Sequence, residues 1–325
     1  MIRYALRFIL LFIVIAVLVL NVFYFFPRLR AHLPYYATLR TYAILLFRNP
    51  FCSFSDALKG LSVSNCEREQ YKLISQSCRI LNKDEKGFEL WETSKGPLWA
   101  PPGSEFKYYF EYIVPGLLTE QECNEYGTEK QGVRPGDIVL DCGAHIGVYT
   151  KKALAAGAKM VVAIEPSPEN IECLRRNFSK DINAGRVIVY PKGVWNREEE
   201  ISFKKEKFSV QDHIIQESEG GDQIIHIPVT TIDKIVSELK LEKIDFIKMD
   251  IEGAEQNALM GAQQTIVTHH PRMAIACEHT DEHLKNAQRV SAIIRGISDY
   301  CVECGHVEIY YDNGGGVSPV VVFFN

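Results

Sequence analysis

Two stretches of the chain concentrate residues able to do chemistry. The first holds Asp141, Gly143, Ala144, His145 and Gly147, with Glu165 and Pro166 following about one βαβ unit later. The second holds Asp250, Glu252 and Glu255, with Glu278 and His279 downstream. In both, a carboxylate closes a short apolar run. Open parallel sheets bind ligands beyond the carboxyl ends of their strands, so such acids would line one common mouth. Glycines flanking a turn let the backbone come close to a neighbour. Titratable groups crowded at one rim shift one another's pKa values and suit acid–base work.

The loop from Gly143 to Gly147 narrows the choice of ligand. A dinucleotide fingerprint needs G-x-G-x-x-G, because the pyrophosphate lies against bare backbone. Here His145 fills the middle small position, and Asp141 puts a negative charge just ahead of the loop. Both features disfavour a phosphate-bearing cofactor such as NAD. S-adenosylmethionine carries an ammonium, a sulfonium and a ribose diol, and no phosphate. Asp141 would face its methionine end, directly or through water. Glu165 would accept hydrogen bonds from the two ribose hydroxyls. At the second stretch a rim group would take a proton from an acceptor, with Asp250 the first choice and Glu252, Glu278 or His279 the alternatives. A magnesium ion between Asp250 and Glu278 is a further possibility. Lys248, inside an apolar run, should pair with an acid such as Asp250 or Glu252.

The elements that must position these groups alternate from Pro135 onward. Strands are predicted over 138–141, 160–165, 186–190, 245–250 and 273–278. Helices follow over about 147–156, from Ser167-Pro168 to the Arg175-Arg176 turn, over about 230–239, 253–269 and 281–300. Residues 198–215 read as a polar hairpin insertion or irregular loop. The last segments, 302–311 and 318–324, flank Asn313-Gly-Gly-Gly and read as an antiparallel pair. The expected fold is α/β, a doubly wound and mostly parallel sheet with an antiparallel C-terminal edge hairpin. Upstream, residues 88–112 combine aromatics with Gly96-Pro97 and Pro101-Pro102-Gly103, which predicts short strands and tight turns. Residues 35–47 could form a short helix with cationic edges.

Length and composition suit one sizeable domain with extras. The net charge of −5 and the lack of a basic stripe give no reason to expect nucleic acid. Residues 8–26 are apolar apart from Asn21 and long enough to cross a bilayer as a helix. Their bulky aromatic exit favours a retained anchor over a cleaved signal peptide. Arginines flank both sides, and the excess downstream points to a cytoplasmic body, as does the cytosolic synthesis of S-adenosylmethionine. Nine cysteines, odd in number and without a framework pattern, read as free thiols in a reducing compartment. Cys301 and Cys304 near His306 have only half the makings of a zinc site, and no metal is expected there. Asn177-Phe-Ser179 spells a glycosylation sequon, but at a helix end, where Asn commonly terminates the helix.

The string from Gly136 to Gly147, with Ile164-Glu-Pro166, Thr231-Ile-Asp233 and Lys248-Met-Asp-Ile-Glu-Gly-Ala-Glu255 in the same order, resembles the motifs of FkbM-type methyltransferases. The resemblance runs from about Phe88 to the C-terminus and leaves the anchor outside. It implies a class I, Rossmann-like enzyme that uses S-adenosylmethionine to methylate hydroxyl oxygens. His145, where the family usually has Asn, and Cys142, where a small aliphatic is common, depart from it. The expected organisation is an anchor over 1–30, a membrane-proximal and lid region over 31–130, and a methyltransferase domain over 131–325. The acceptor would be a small molecule, glycan, glycolipid or lipid-linked metabolite at the membrane. The competing readings are a membrane-tethered protein that binds S-adenosylmethionine without catalysis, and an NAD-dependent oxidoreductase.

Overall fold

The computed structural model describes residues 51–325 apart from 105–106, 109–110, 128–129, 205–212, 215–223, 280–282 and 311–315. The apolar stretch 8–26 and the expected helix over 35–47 lie outside the described residues. Among the described residues no helix is long and apolar enough to cross a membrane.

The central sheet has seven strands: β1 (Ile138–Cys142), β2 (Met160–Ile164), β3 (Val187–Tyr190), β4 (Phe246–Met249), β5 (Arg272–Ala276), β6 (Val302–Cys304) and β7 (Val321–Phe324). They lie in the order β6-β7-β5-β4-β1-β2-β3. All pairings are parallel except those of β7, which runs antiparallel to both β5 and β6. The expected C-terminal hairpin therefore forms the sheet edge, with its reversed strand one place inside it. Helices α1 (Val148–Ala155), α2 (Pro168–Asn177), α3 (Ile232–Glu238), α4 (Glu255–Met260), α5 (Gln263–His269) and α6 (His283–Ile297) fill the connections. The single helix expected over 253–269 is two helices, α4 and α5, separated at Gly261-Ala262. A Cβ on Gly261 would meet the Trp195 carbonyl, so the break is a close-packing point.

Both faces of the sheet are covered. Leu140, Val162, Ile164, Ile247, Met249 and Ile275 join one buried cluster, while Val139, Val161, Phe246, Ala274 and Phe323 join another. Successive residues of each strand point to opposite faces, so two-sided burial demands the unbroken apolar runs seen in the sequence. Residues 198–215 carry no irregular loop at their start: Glu199–Lys204 pairs with Ile224–Thr230 and with His213–Ile214 in a separate antiparallel sheet.

The region before the sheet contains a helix that sequence periodicity did not suggest, Phe54–Ser77. Its Ser, Asn and Gly residues blur any apolar stripe. The short strands expected over 88–112 are present, and Arg79–Lys83 joins Glu89–Glu92 and Leu98–Ala100 in a three-stranded sheet. Arg176 of α2 lies 4.4 Å from the Phe88 ring centre and 4.7 Å from that of Trp99, and pairs with Asp84 at 2.7 Å. Phe88, Trp91 and Leu98 pack with Ile146, Val148 and Cys173. This small sheet thus backs the loop that precedes α1.

The cysteine reading is overturned. Cys52 is bonded to Cys304, and Cys66 to Cys123, with Cα separations of 5.6 and 5.7 Å. These distances are ones a disulfide spans without moving the backbone. Sequence spacing hid the pairing because one bond closes 252 residues of chain and the other 57. Cys304 is consumed in a disulfide, which removes the half zinc site with Cys301.

Candidate functional site

The order of the strands reverses between β1 and β4, and the rim above that point carries the expected residues. The loop after β1 is held by hydrogen bonds from Gly143 and Ala144 N–H to the Ile164 carbonyl. Gly143 (φ 78°), His145 (φ 49°) and Gly147 (φ 91°) all adopt the left-handed region. A Cβ on Gly143 would collide with the Asp250 carbonyl, and one on Gly147 with the Phe178 ring. These glycines therefore let the loop nest against β4's exit and α2. Ala144 is buried with Ala163, Leu174 and Phe178 beneath the loop. His145 is kept neutral at ordinary pH, since burial, with Lys248 nearby, lowers its pKa to about 4.

Glu165 stands at the tip of β2 and is almost fully buried. One oxygen accepts the His145 N–H at 2.9 Å; the other accepts the Ser167 N–H at 2.9 Å and the Asn170 amide at 3.3 Å. The expected N-cap, Ser167, makes no side-chain cap bond. Pro166 is partly exposed beside Glu165, with Gly193 behind it.

Register explains the next pair. Lys248 lies directly beside Asp141 across β4 and β1, so their side chains share one face. Lys248 Nζ donates to the Gly143 carbonyl at 2.9 Å, and sits 3.4 Å from Asp250 and 3.7 Å from Asp141. The rings of Tyr126 and Tyr149 flank it at 5.1 and 5.9 Å. Burial opposes its charge, yet the two carboxylates win and its pKa is raised. The expected partnership of Lys248 with Asp250 is present. Asp141 is fully enclosed, accepts the Thr150 hydroxyl at 2.6 Å, and has its pKa raised by burial against the pull of Lys248. Asp141 therefore faces Lys248 and Thr150.

Asp250 is the junction of the rim. One oxygen meets His279 Nε2 at 2.7 Å, the other the Tyr126 hydroxyl at 2.8 Å. Burial pushes its pKa up, but Lys248, His279 and Tyr126 hold it well below the usual carboxylate range. The other imidazole nitrogen of His279 meets Glu252 at 3.2 Å. Burial disfavours the charged ring, but the two carboxylates raise its pKa well above the ordinary value. His279 is thus an imidazolium donating on both sides. Glu252 owes its position to a left-handed turn, φ 54°, followed by Gly253 at φ 93°. Glu255 is fully buried and accepts the N–H groups of Ile251 and Gly253, so it closes its own turn.

Glu278 differs from its neighbours. Burial and the nearby Glu125 raise its pKa to about 8, although His279 works against them. It belongs to a set of acids that sequence reasoning did not assemble: Glu120 and Glu125 lie around helix Ile113–Glu122, Glu67 on helix Phe54–Ser77, and His306 follows β6. His306 meets Glu125 at 3.3 Å, and burial plus four neighbouring acids raise the Glu120 pKa well above its ordinary value. Nothing in the local sequence marks these residues or Tyr126. Among the described residues, two groups have ligand atoms within 4.8 Å of one another, as a divalent cation would need: Asp250, Glu252 and His279, and Glu67, Glu125 and His306. The first groups Asp250 with Glu252 and His279, where the sequence had suggested Glu278.

A mostly parallel seven-stranded sheet, reversed only at β7 and carrying acids at the tips of β1, β2 and β4, defines a class I methyltransferase-like α/β fold. Residues 141–307, just over half of the chain, match the methyltransferase FkbM domain, and the chain belongs to that family. Among curated relatives, 31-O-demethyl-FK506 methyltransferase FkbM of Streptomyces tacrolimicus is 24% identical over 182 residues, 47% of this chain and 68% of that protein. The AMB antimetabolite synthetase AmbE of Pseudomonas aeruginosa is 24% identical over 190 residues, 46% of this chain, but the match spans only 9% of that protein. Among solved structures, methyltransferase FkbM from Methylobacillus flagellatus KT has 18% identity and a TM-score of 0.42, covering 82% of this chain and 60% of its own. M. jannaschii TYW2 in complex with AdoMet has 14% identity and a TM-score of 0.38, covering 75% of this chain and 87% of its own.

Proposed function

We propose that this protein is an S-adenosylmethionine-dependent O-methyltransferase, anchored through residues 8–26, that methylates a hydroxyl of a glycan, glycolipid or related metabolite. The division into an anchor over 1–30, an accessory region over 31–130 and a methyltransferase domain over 131–325 belongs to the same reading. The observation that carries it is the rim itself, with Glu165 at the tip of β2 beside the left-handed loop and Asp250 joined to His279 beyond the ends of β4 and β5.

The donor set suits the cofactor. Glu165 is a carboxylate at the tip of β2, beside a left-handed loop. It would hold a ribose by exchanging protein donors, such as the Asn170 amide, for ribose hydroxyls. Gly143, Ala144, His145, Gly147 and Pro166 would shape the walls. Bound S-adenosylmethionine supplies a methyl group already activated on a sulfonium, so the protein mainly aligns and desolvates.

The alcohol must lose its proton as its oxygen attacks. Asp250 is a poor base, because three donors stabilise its anion. His279 already carries its proton. Glu278, with its pKa near 8, is best matched to take a proton near neutral pH, and it replaces Asp250 as first choice. Asp250, Glu252 and His279 then form the rigid network that fixes the rim.

The test is to incubate the full chain with S-adenosylmethionine and a panel of glycans, glycolipids and free alcohols, and to measure S-adenosylhomocysteine. Turnover should depend on acceptor and rise with pH through about 8. Glu278→Gln should cut kcat roughly 100- to 10,000-fold, with cofactor affinity kept within about twofold. Tight cofactor binding without product across the panel would favour the non-catalytic tether, and preferential binding of NAD the oxidoreductase.

A further inference from the structure

The nine cysteines sort by position. Four form the bonds Cys52–Cys304 and Cys66–Cys123. Cys142, Cys173 and Cys277 are enclosed in the core, and burial pushes all three thiols up in pKa, away from the reactive thiolate. Cys78 is half-buried and shifted the same way, which leaves Cys301 as the exposed free thiol. The pairs that could be oxidised have been, and most of the remainder are shielded. Persistent structural disulfides belong to secreted, lumenal or periplasmic proteins, because thiol pools elsewhere reduce them.

The bonds also sit beside the acidic pocket. Glu67 adjoins Cys66, Glu125 lies two residues after Cys123, and His306 two residues after Cys304. Those three side chains converge within 4.8 Å, although they come from a helix and two loops far apart in sequence. Tyr126, three residues past Cys123, holds Asp250 at 2.8 Å. Each bond thus pins one end of the wall that faces Glu278 and Asp250.

We infer that the catalytic body folds and works on the oxidising side of its membrane, that the two disulfides hold the acceptor-side wall in place, and that the acceptor is an alcohol of that exoplasmic compartment. The acceptor clause rests on the methyltransferase reading above; the sidedness does not. This reverses the cytoplasmic side suggested by the arginines after residue 26, a signal weakened by Arg3 and Arg7 on the other flank. Each bond forms by exchange. A thiol pair gives up two protons and two electrons, and a disulfide oxidant of the compartment is reduced to two thiols. The Asn177 side chain accepts from Trp99 N–H and donates to the Trp99 and Ile146 carbonyls, so a glycan on that sequon would displace bonds of the fold.

The test uses the full chain in sealed microsomes, with thiols alkylated before lysis. Mass spectrometry should find peptides 52–304 and 66–123 linked, with Cys301 the most readily alkylated thiol. Added protease should spare the body until detergent is present. Lys240→Asn with Glu242→Thr places a sequon on an exposed turn whose residue 240 is already left-handed, φ 52°, as Asn tolerates. That variant should gain a glycan removable by endoglycosidase. For the wall, Cys123→Ser or mild reductant should lower kcat/KM for the acceptor at least fivefold while S-adenosylmethionine affinity changes less than twofold. Free, alkylated thiols at Cys52, Cys66, Cys123 and Cys304 without reductant, or cleavage of the body in sealed vesicles, overturns the sidedness. Unchanged acceptor kinetics after reduction overturns the role of the wall. The alkylation and protection readouts need no turnover, so failure of the methyltransferase reading would show separately, as absent product from a protein of the stated topology.

Discussion

Lys248→Met is the sharpest perturbation of the rim. The ammonium lies 3.7 Å from Asp141 and 3.4 Å from Asp250, and the lysine side chain is 4% exposed. At an effective dielectric near 20, each attraction is worth about 4–5 kcal/mol before desolvation. Stripping water from three ions cancels much of that, and removing one partner of a buried set costs about 3–5 kcal/mol. For a domain of this size that is roughly 6–20 °C in Tm. The sign with pH follows from Asp141. Without the ammonium, burial is opposed only by the Thr150 hydroxyl and raises its folded pKa further. The folded variant then binds more protons than the unfolded chain, so its stability is greatest below the ordinary Asp range and falls as pH rises through the folded value. Thermal unfolding at pH 5 and pH 8 should show a smaller deficit at pH 5. Adding Asp141→Asn to Lys248→Met should recover about 1 kcal/mol or more, since it removes the stranded charge. A Lys248→Met protein melting within about 2 °C of wild type at pH 8, or strict additivity in the double variant, would refute the reasoning.

Two other substitutions test separate links. Glu165→Gln keeps the shape but removes the charge at the tip of β2, and should weaken S-adenosylmethionine by roughly 10- to 100-fold by calorimetry, the worth of a hydrogen bond to a charged group; an unchanged Kd would remove Glu165 from the ribose site. Gly143→Ala forces a side chain into the Asp250 carbonyl at φ 78° and should cost about 2–4 kcal/mol in chemical denaturation; a variant as stable as wild type would mean the loop relaxes freely.

What the sequence determined by itself is what local pattern encodes. Buried parallel strands require unbroken apolar runs, so β1, β2, β4 and β5 were legible, as were the acids that close them and the hairpin at the C-terminal edge. Lys248 could be read as paired, because a cation in an apolar run must find an acid. Tertiary structure alone decided which partners each acid meets. The pairing of Asp141 with Lys248 is a consequence of strand register across β1 and β4. Asp250 accepts the hydroxyl of Tyr126, 124 residues away in the chain. Glu278 takes its shifted pKa from burial and from Glu125, which lies outside its own strand and turn. The disulfides were hidden for the same reason. Contacts between residues distant in sequence leave no periodic trace, and burial, which sets both the charge of a carboxyl and the partner of a thiol, exists only once the chain has folded.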